Sequence, residues 1–99
     1  MLFVLIHRMM GLVPPEIQMH ILEIIKKRKE IAKGAKELAS YAPIAYQGAI
    51  CVLEIDNLEK LMPLLGQLAG CGVSTEIIPV EKSEVAMKNW EEAIKAAMK

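Results

Sequence analysis

Residues 2–10 read LFVLIHRMM and residues 49–55 read AICVLEI, two segments that are apolar on whichever face of a strand is counted. Side chains alternate across a strand. Phe3, Leu5, His7 and Met9 therefore share one face of the first segment, and Leu2, Val4, Ile6, Arg8 and Met10 the other. In the second, Ala49, Cys51, Leu53 and Ile55 alternate with Ile50, Val52 and Glu54. Strands of this kind belong in a sheet that is covered on both sides. A chain of 99 residues makes one domain, spanning 1–99, and has few elements with which to do the covering.

Between the strands the pattern is helical. Pro14 and Pro15 sit where a helix can begin, since proline is tolerated in the first turn. From Ile17 to about Ala39 a stripe runs through Ile17, Ile21, Ile24, Arg28, Ile31, Ala35 and Leu38 in steps of four and three, which predicts one long helix. YAPIAYQG (41–48) reads as a weaker strand that Pro43 pushes toward a sheet edge, and Gly48 turns the chain into the strong strand. Asp56 and Glu59 form a D-x-x-E capping box for a second helix, with Pro63 predicting a kink or a late start. Residues 70–72, GCG, end that helix and VSTEIIPV follows as the last strand. Ser83 with Glu84 can cap a third helix, on which Met87, Trp90, Ile94 and Met98 share a face. The order is β-α-β-β-α-β plus a C-terminal helix, an α+β, ferredoxin-like arrangement with a four-stranded antiparallel sheet.

In such an arrangement the first two helices cover one face of the sheet. The other face needs either a second copy, sheet against sheet, or the chain's own C-terminal helix folded across it. An apolar face of several hundred Å² is unusual on a monomer, and homodimers are the commonest oligomers, so a homodimer or higher even oligomer is expected. A second apolar patch, Met19, Leu22 and Ile25 on the far side of the first helix, is expected to pack on the C-terminal helix.

Composition narrows the function. Lys+Arg and Asp+Glu are equal at 12 each, whereas a chain built for a phosphate backbone is basic overall. One Trp, two Tyr and one Phe are too few for a base-stacking platform, so nucleic acid is not an expected partner. No apolar stretch approaches the ~20 residues that span a bilayer, and MLFVLI lacks the basic flank and cleavage site of a signal peptide. Cys51 and Cys71 form neither a CxxC pair nor a metal pattern. Cys51 reads as a small core residue and Cys71 as a loop thiol. A cytoplasmic protein without membrane, metal or cofactor is the expectation.

The run IIKKRKEI (24–31) is not a basic patch. On a helical wheel three of its cations face water, while Arg28 lies within about 20° of the apolar stripe's centre at 100° per residue. Arg28 can reach water with its stem buried, pair with an internal carboxylate such as Glu54 or Glu76, or hold the carboxylate or enolate of a small ligand with its planar fork. His7 stands mid-strand among apolar neighbours, either as a hydrogen-bonded structural residue or as a neutral proton acceptor beside a pocket. His20 flanks the helical stripe. Tyr41 and Tyr46 are amphipathic rings suited to a pocket mouth or a dimer seam. Arg28, His7, Tyr46, Tyr41 and His20 are the candidate ligand-binding residues; no catalytic residue is assigned.

The opening MLF, the proline before the first helix, KEIAKGAKELA, the glycine-led strand followed by IDNLEKLMPLL, and the ending EIIPVEKSEVA together resemble the dimeric α/β-barrel superfamily, and within it the muconolactone isomerase-like branch. The ending is similar to that of a family of small uncharacterised proteins in the same superfamily. The likeness runs over nearly all of the chain as a pattern rather than a sharp motif. It implies the fold and a dimer. The isomerases carry a carboxylate on the first helix, two residues before the glutamate of the helix end. Aligning Glu30 with that glutamate puts Arg28 there, without the proton shuttle that a carboxylate performs. The expected function is small-molecule binding, of the cofactor-free, isomerase-like enzyme type, on a small carboxylate or aromatic compound. The alternative is a non-catalytic dimeric binding or interaction module. A void beside Arg28 favours the first, a filled core the second.

Overall fold

The computed structural model describes residues 1–99. Its elements run β1 (Leu2–Met9), α1 (Pro15–Lys26), α2 (Arg28–Ile31), β2 (Lys36–Tyr41), β3 (Gly48–Glu54), a 3-10 turn (Leu58–Leu61), α3 (Met62–Gly70), β4 (Val73–Val80) and α4 (Ser83–Ala97). The strands form one antiparallel sheet in the order β2-β3-β1-β4, which is the ferredoxin-like arrangement with an added C-terminal helix. The two segments that are apolar on both faces, β1 and β3, are its two central strands.

Two expectations about the first half need correction. The helix does not continue to Ala39: α1 ends at Lys26, α2 adds a single turn, and Gly34 sits at φ 92°. A glycine in that left-handed region stops a helix cheaply. The segment KELASY, read as a helix end, is then free to form β2. Pro43 consequently lies in the β2–β3 loop and not in a strand. Ala35 and Leu38 leave the helical stripe for the same reason.

The second half follows the sequence more closely, apart from two caps: Ser83 is the first residue of α4 and not its cap, since Lys82 holds that position with no side-chain bond. Asn57, not Asp56, caps the 3-10 turn, its Oδ1 accepting from the Glu59 N–H at 2.9 Å. Asp56 instead accepts from Lys60 Nζ at 2.8 Å. α3 starts late, with Pro63 in its first turn where no donor is needed. Gly72, at φ 82°, releases the chain from α3 into β4.

The core lies between the sheet and α1–α3. Phe3 and Leu5 of β1, Cys51 and Leu53 of β3 and Val73 of β4 meet Ile21 and Ile24 of α1, with Leu61, Leu64 and Leu68 behind them. The opposite face carries Leu2, Val4, Ile6, Ile50, Val52 and Ile78, none of them buried. Register makes this a continuous strip: Val4 stands between Val52 and Ile78, and Ile6 beside Ile50.

Nothing from the same chain covers that strip. α4 touches no other element, neither the outer sheet face nor α1, whose Met19 and Leu22 stay exposed, while Ile25, expected beside them, turns toward the sheet side of α1. The expected packing of α4 on that patch is therefore absent, because only Glu81 and Lys82 join α4 to β4 and the helix projects clear of the sheet. The chain measures 61 × 29 × 19 Å with a radius of gyration of 16.9 Å. A compact domain of this length would have about 12.6 Å. Its accessible surface of 7314 Å² exceeds by about 1,700 Å² that of a compact monomer of the same mass.

Candidate functional site

The helices do not fill the space they cover. A cleft of about 540 Å³ opens between α1 and the sheet. Its floor is β1 and β3 (Leu5, His7, Ala49, Cys51), its back wall is Leu64 and Leu68 of α3, and Ile21 and Ile25 form the roof. Arg28, Lys29, Lys36, Glu37 and Ser40 supply nearly all the remaining polarity.

A β-bulge builds the polar side. Lys36 and Glu37 pair with Glu54 and Leu53, but the next pairing is Ala39 with Val52, leaving Leu38 as an extra residue. Glu37 and Ser40 are three positions apart and would alternate to opposite faces of a regular strand. The bulge brings both to the helix side, a device often found beside functional sites. Ser40 then stands opposite Cys51, with Oγ and Sγ 3.8 Å apart. Burial pushes the Cys51 thiol up, so at neutral pH it is a small apolar lining group rather than a nucleophile.

Glu37 is the partner of Arg28. Arg28 Nε donates to Glu37 Oε2 at 2.8 Å and Nη2 to Oε1 at 3.3 Å, while Nη1 donates to the Ile25 carbonyl at 2.9 Å. The expected partners Glu54 and Glu76 lie on the outer face, in register with Leu2 and Ile6, and point away from the helices. The fork–fork bond from Arg28 holds the Glu37 carboxyl below the usual carboxylate range, and the same bond raises Arg28. The side chains are 35% and 20% exposed, so the pair is at the rim and not in the core. With both edges of its fork committed, Arg28 braces the end of α1 against β2. Lys29 and Lys36 beside it form no ion pair and give the rim a net positive charge.

His7 is the one buried polar residue of the chain. Its Nδ1 shares a 2.8 Å hydrogen bond with Thr75 Oγ1 on β4, its register partner. Nε2 makes no hydrogen bond, yet no buried side-chain nitrogen or oxygen is left unpartnered, so this nitrogen opens to the cleft that His7 lines. Burial lowers the pKa of His7 and keeps the ring neutral. Backbone geometry at this point is tight: a Cβ on Gly48 would run into the His7 carbonyl oxygen, so only glycine lets β3 approach β1 here.

Of the five sequence candidates, the cleft brings together Arg28 and His7. The other three lie elsewhere. Tyr41 is exposed, in register with Ile50 of the outer face. Tyr46 stacks under the Arg8 guanidinium, 4.2 Å from its ring centroid. His20 is solvated on α1, 4.0 Å from Glu23 Oε2. Glu37, Ser40, Lys29 and Lys36 were not among the candidates. Glu37 was hidden inside the supposed helix and Ser40 just past its end, and only the glycine at 34 signals that the helix stops before them. Thr75 was findable, since pairing β1 with β4 sets it beside His7.

No protein-family model matches the sequence, and no curated protein is significantly similar to it.

Proposed function

We propose that the protein binds a small molecule in the cleft between α1 and the sheet, a compound with an apolar or aromatic body and an anionic group. The single observation that carries this is the cleft itself: about 540 Å³, apolar inside and cationic at the rim. Ligand pockets of about 300–1,000 Å³ with a few convergent polar groups are the usual form of a small-molecule site. An aryl or alkyl body would lie against Leu5, Leu64 and Leu68, His7 Nε2 would meet a polar atom, and the anion would face Lys29 and Lys36. A cofactor-free enzyme is the catalytic extension of this reading, with the neutral His7 as proton acceptor.

The test is thermal melting with a panel of aromatic and medium-chain aliphatic acids, because a ligand bound only by the folded state raises its stability by mass action. Some members should raise the wild-type melting temperature and have no effect on Ala49→Phe, whose ring would occupy the cleft. A panel with no effect on the wild type would count against the site.

The homodimer belongs to the same proposal. The uncovered strip around Val4, Val52 and Ile78 is apolar and continuous. The chain's excess surface of about 1,700 Å² is more than the roughly 800 Å² per partner of a standard interface. Two sheets facing each other would bury the strip. Light scattering at micromolar concentration should give no species at the 11.0 kDa of one chain.

A further inference from the structure

α4 presents an unusual situation. Isolated helices of about 12–15 residues are marginal in water, yet this one, of 15 residues, makes no tertiary contact. One side of it is apolar: Met87, Trp90, Ile94 and Met98 line a single groove, and Trp90, the only tryptophan, is 68% exposed. Beside that stripe lies a row of alternating charge, Glu84, Lys88, Glu91 and Lys95, of which the last two pair at 3.1 Å. On the other side the helix carries Ala86, Ala93 and Ala97.

The charge row is complementary to its own reverse. Turned end for end about a point between Asn89 and Trp90, Glu84 comes level with Lys95 of a second helix, and Lys88 with Glu91. The same operation interleaves the apolar residues. Met87 falls between the second helix's Ile94 and Trp90, the two Trp90 rings meet near the axis, and no two stripe residues stand at one height. Antiparallel pairing also sets charged flank on charged flank and alanine flank on alanine flank. Parallel pairing would set charges against alanines.

We propose that α4 is a self-association helix, pairing antiparallel with α4 of a second copy of this chain about a two-fold axis between Asn89 and Trp90. The contact is isologous and therefore closes. It covers Met87, Trp90, Ile94 and Met98 and opposes charges at four places. Because α4 stands clear of the sheet, this contact is separate from the outer sheet face, and together the two assemble an even oligomer larger than a dimer. The pairing does not depend on the sheet contact.

Three charge variants of the full chain test it. Glu84→Lys with Glu91→Lys makes an all-lysine row, and Lys88→Glu with Lys95→Glu an all-glutamate row. Each alone should halve the wild-type mass by sedimentation, and an equimolar mixture should restore it. Halving is expected whether the sheets associate or not, since the products are then dimers or monomers respectively. The third variant reverses all four charges. It keeps the intrahelical pairs and self-complementarity, so it should assemble as the wild type does. Trp90 emission should shift to shorter wavelength as wild-type concentration rises. Unchanged mass in both repulsive variants overturns the proposal, as does a reversed variant that stays at half the wild-type mass. A Trp90 emission that stays buried in both repulsive variants overturns it too, because α4 would then be folded onto its own chain.

Discussion

The Arg28–Glu37 pair offers the sharpest quantitative test of how the cleft is held open. Exposed ion pairs contribute about 0.2–1 kcal/mol, and breaking a fully buried one costs about 3–5 kcal/mol. This pair lies between: two parallel N–H···O bonds at 2.8 and 3.3 Å, with side chains 35% and 20% exposed. Geometry lifts the pair just above the exposed range and solvent keeps it well below the buried one, so we expect a coupling of about 1–1.5 kcal/mol. The measurement is a double-mutant cycle of Arg28→Met, Glu37→Gln and the double variant, by urea unfolding at one fixed chain concentration. Methionine keeps the stem's packing, and glutamine keeps the shape of Glu37 without its charge. In thermal terms the coupling corresponds to about 4–8 °C per kcal/mol for a domain of this size.

The pH dependence has a definite sign. Glu37 has a lowered pKa in the folded state, first because of the Arg28 hydrogen bond. Its contribution is therefore fully present above the unfolded glutamate value of about 4.3 and is lost as pH falls through the folded value. The coupling should persist at pH 7 and collapse in strong acid. A coupling under about 0.3 kcal/mol at pH 7 would refute the inference that this contact braces α1 against β2. So would one that is insensitive to acid.

Burial of His7 lowers its folded pKa, so the unfolded chain takes up a proton first. Stability should decline as pH drops below about 6.5 and level off beneath the folded value; in His7→Phe, urea midpoints should lose that part of the decline. Ile55, 2% exposed and away from the cleft, should cost about 2–5 kcal/mol when cut to alanine, read as a fall in urea midpoint. Gly48→Ala forces a methyl against the His7 carbonyl and should cost about 1–3 kcal/mol as overpacking does; a variant that melts with the wild type would show that the β1–β3 approach can relax.

The topology was legible because it rests on long, strongly patterned segments. β1 and β3 announce themselves as apolar runs and β4 as a β-branched segment after GCG, and α3 by leucines after an acidic turn. β2 was not legible, for a specific reason. KELASY continues a 3.6-residue rhythm from α1, and the rhythm is accidental: Gly34 stops the helix, and pairing with β3 decides the rest. Arg28 was correctly aimed at the sheet by its wheel position, but its partner was misassigned, since Glu37 then lay on a supposed helix. His7 was visible as a polar residue in an apolar strand. Ser40 was not, because a bulge breaks the parity on which face assignments depend.

That same bulge also governs how the sheet ends. β2 and β4 are the outer strands, each with a row of backbone groups open to strand addition and hence to polymerisation. The extra residue at Leu38 twists β2 out of regular pairing, and Lys36 puts a charge beside it. On β4, Pro79 removes a donor and Glu76 adds a charge. With both borders blunted, further copies are discouraged from extending the sheet sideways without limit. With copies associating through the apolar face and the terminal helix as proposed, each contact would pair two chains about a two-fold axis instead of adding strands edge to edge.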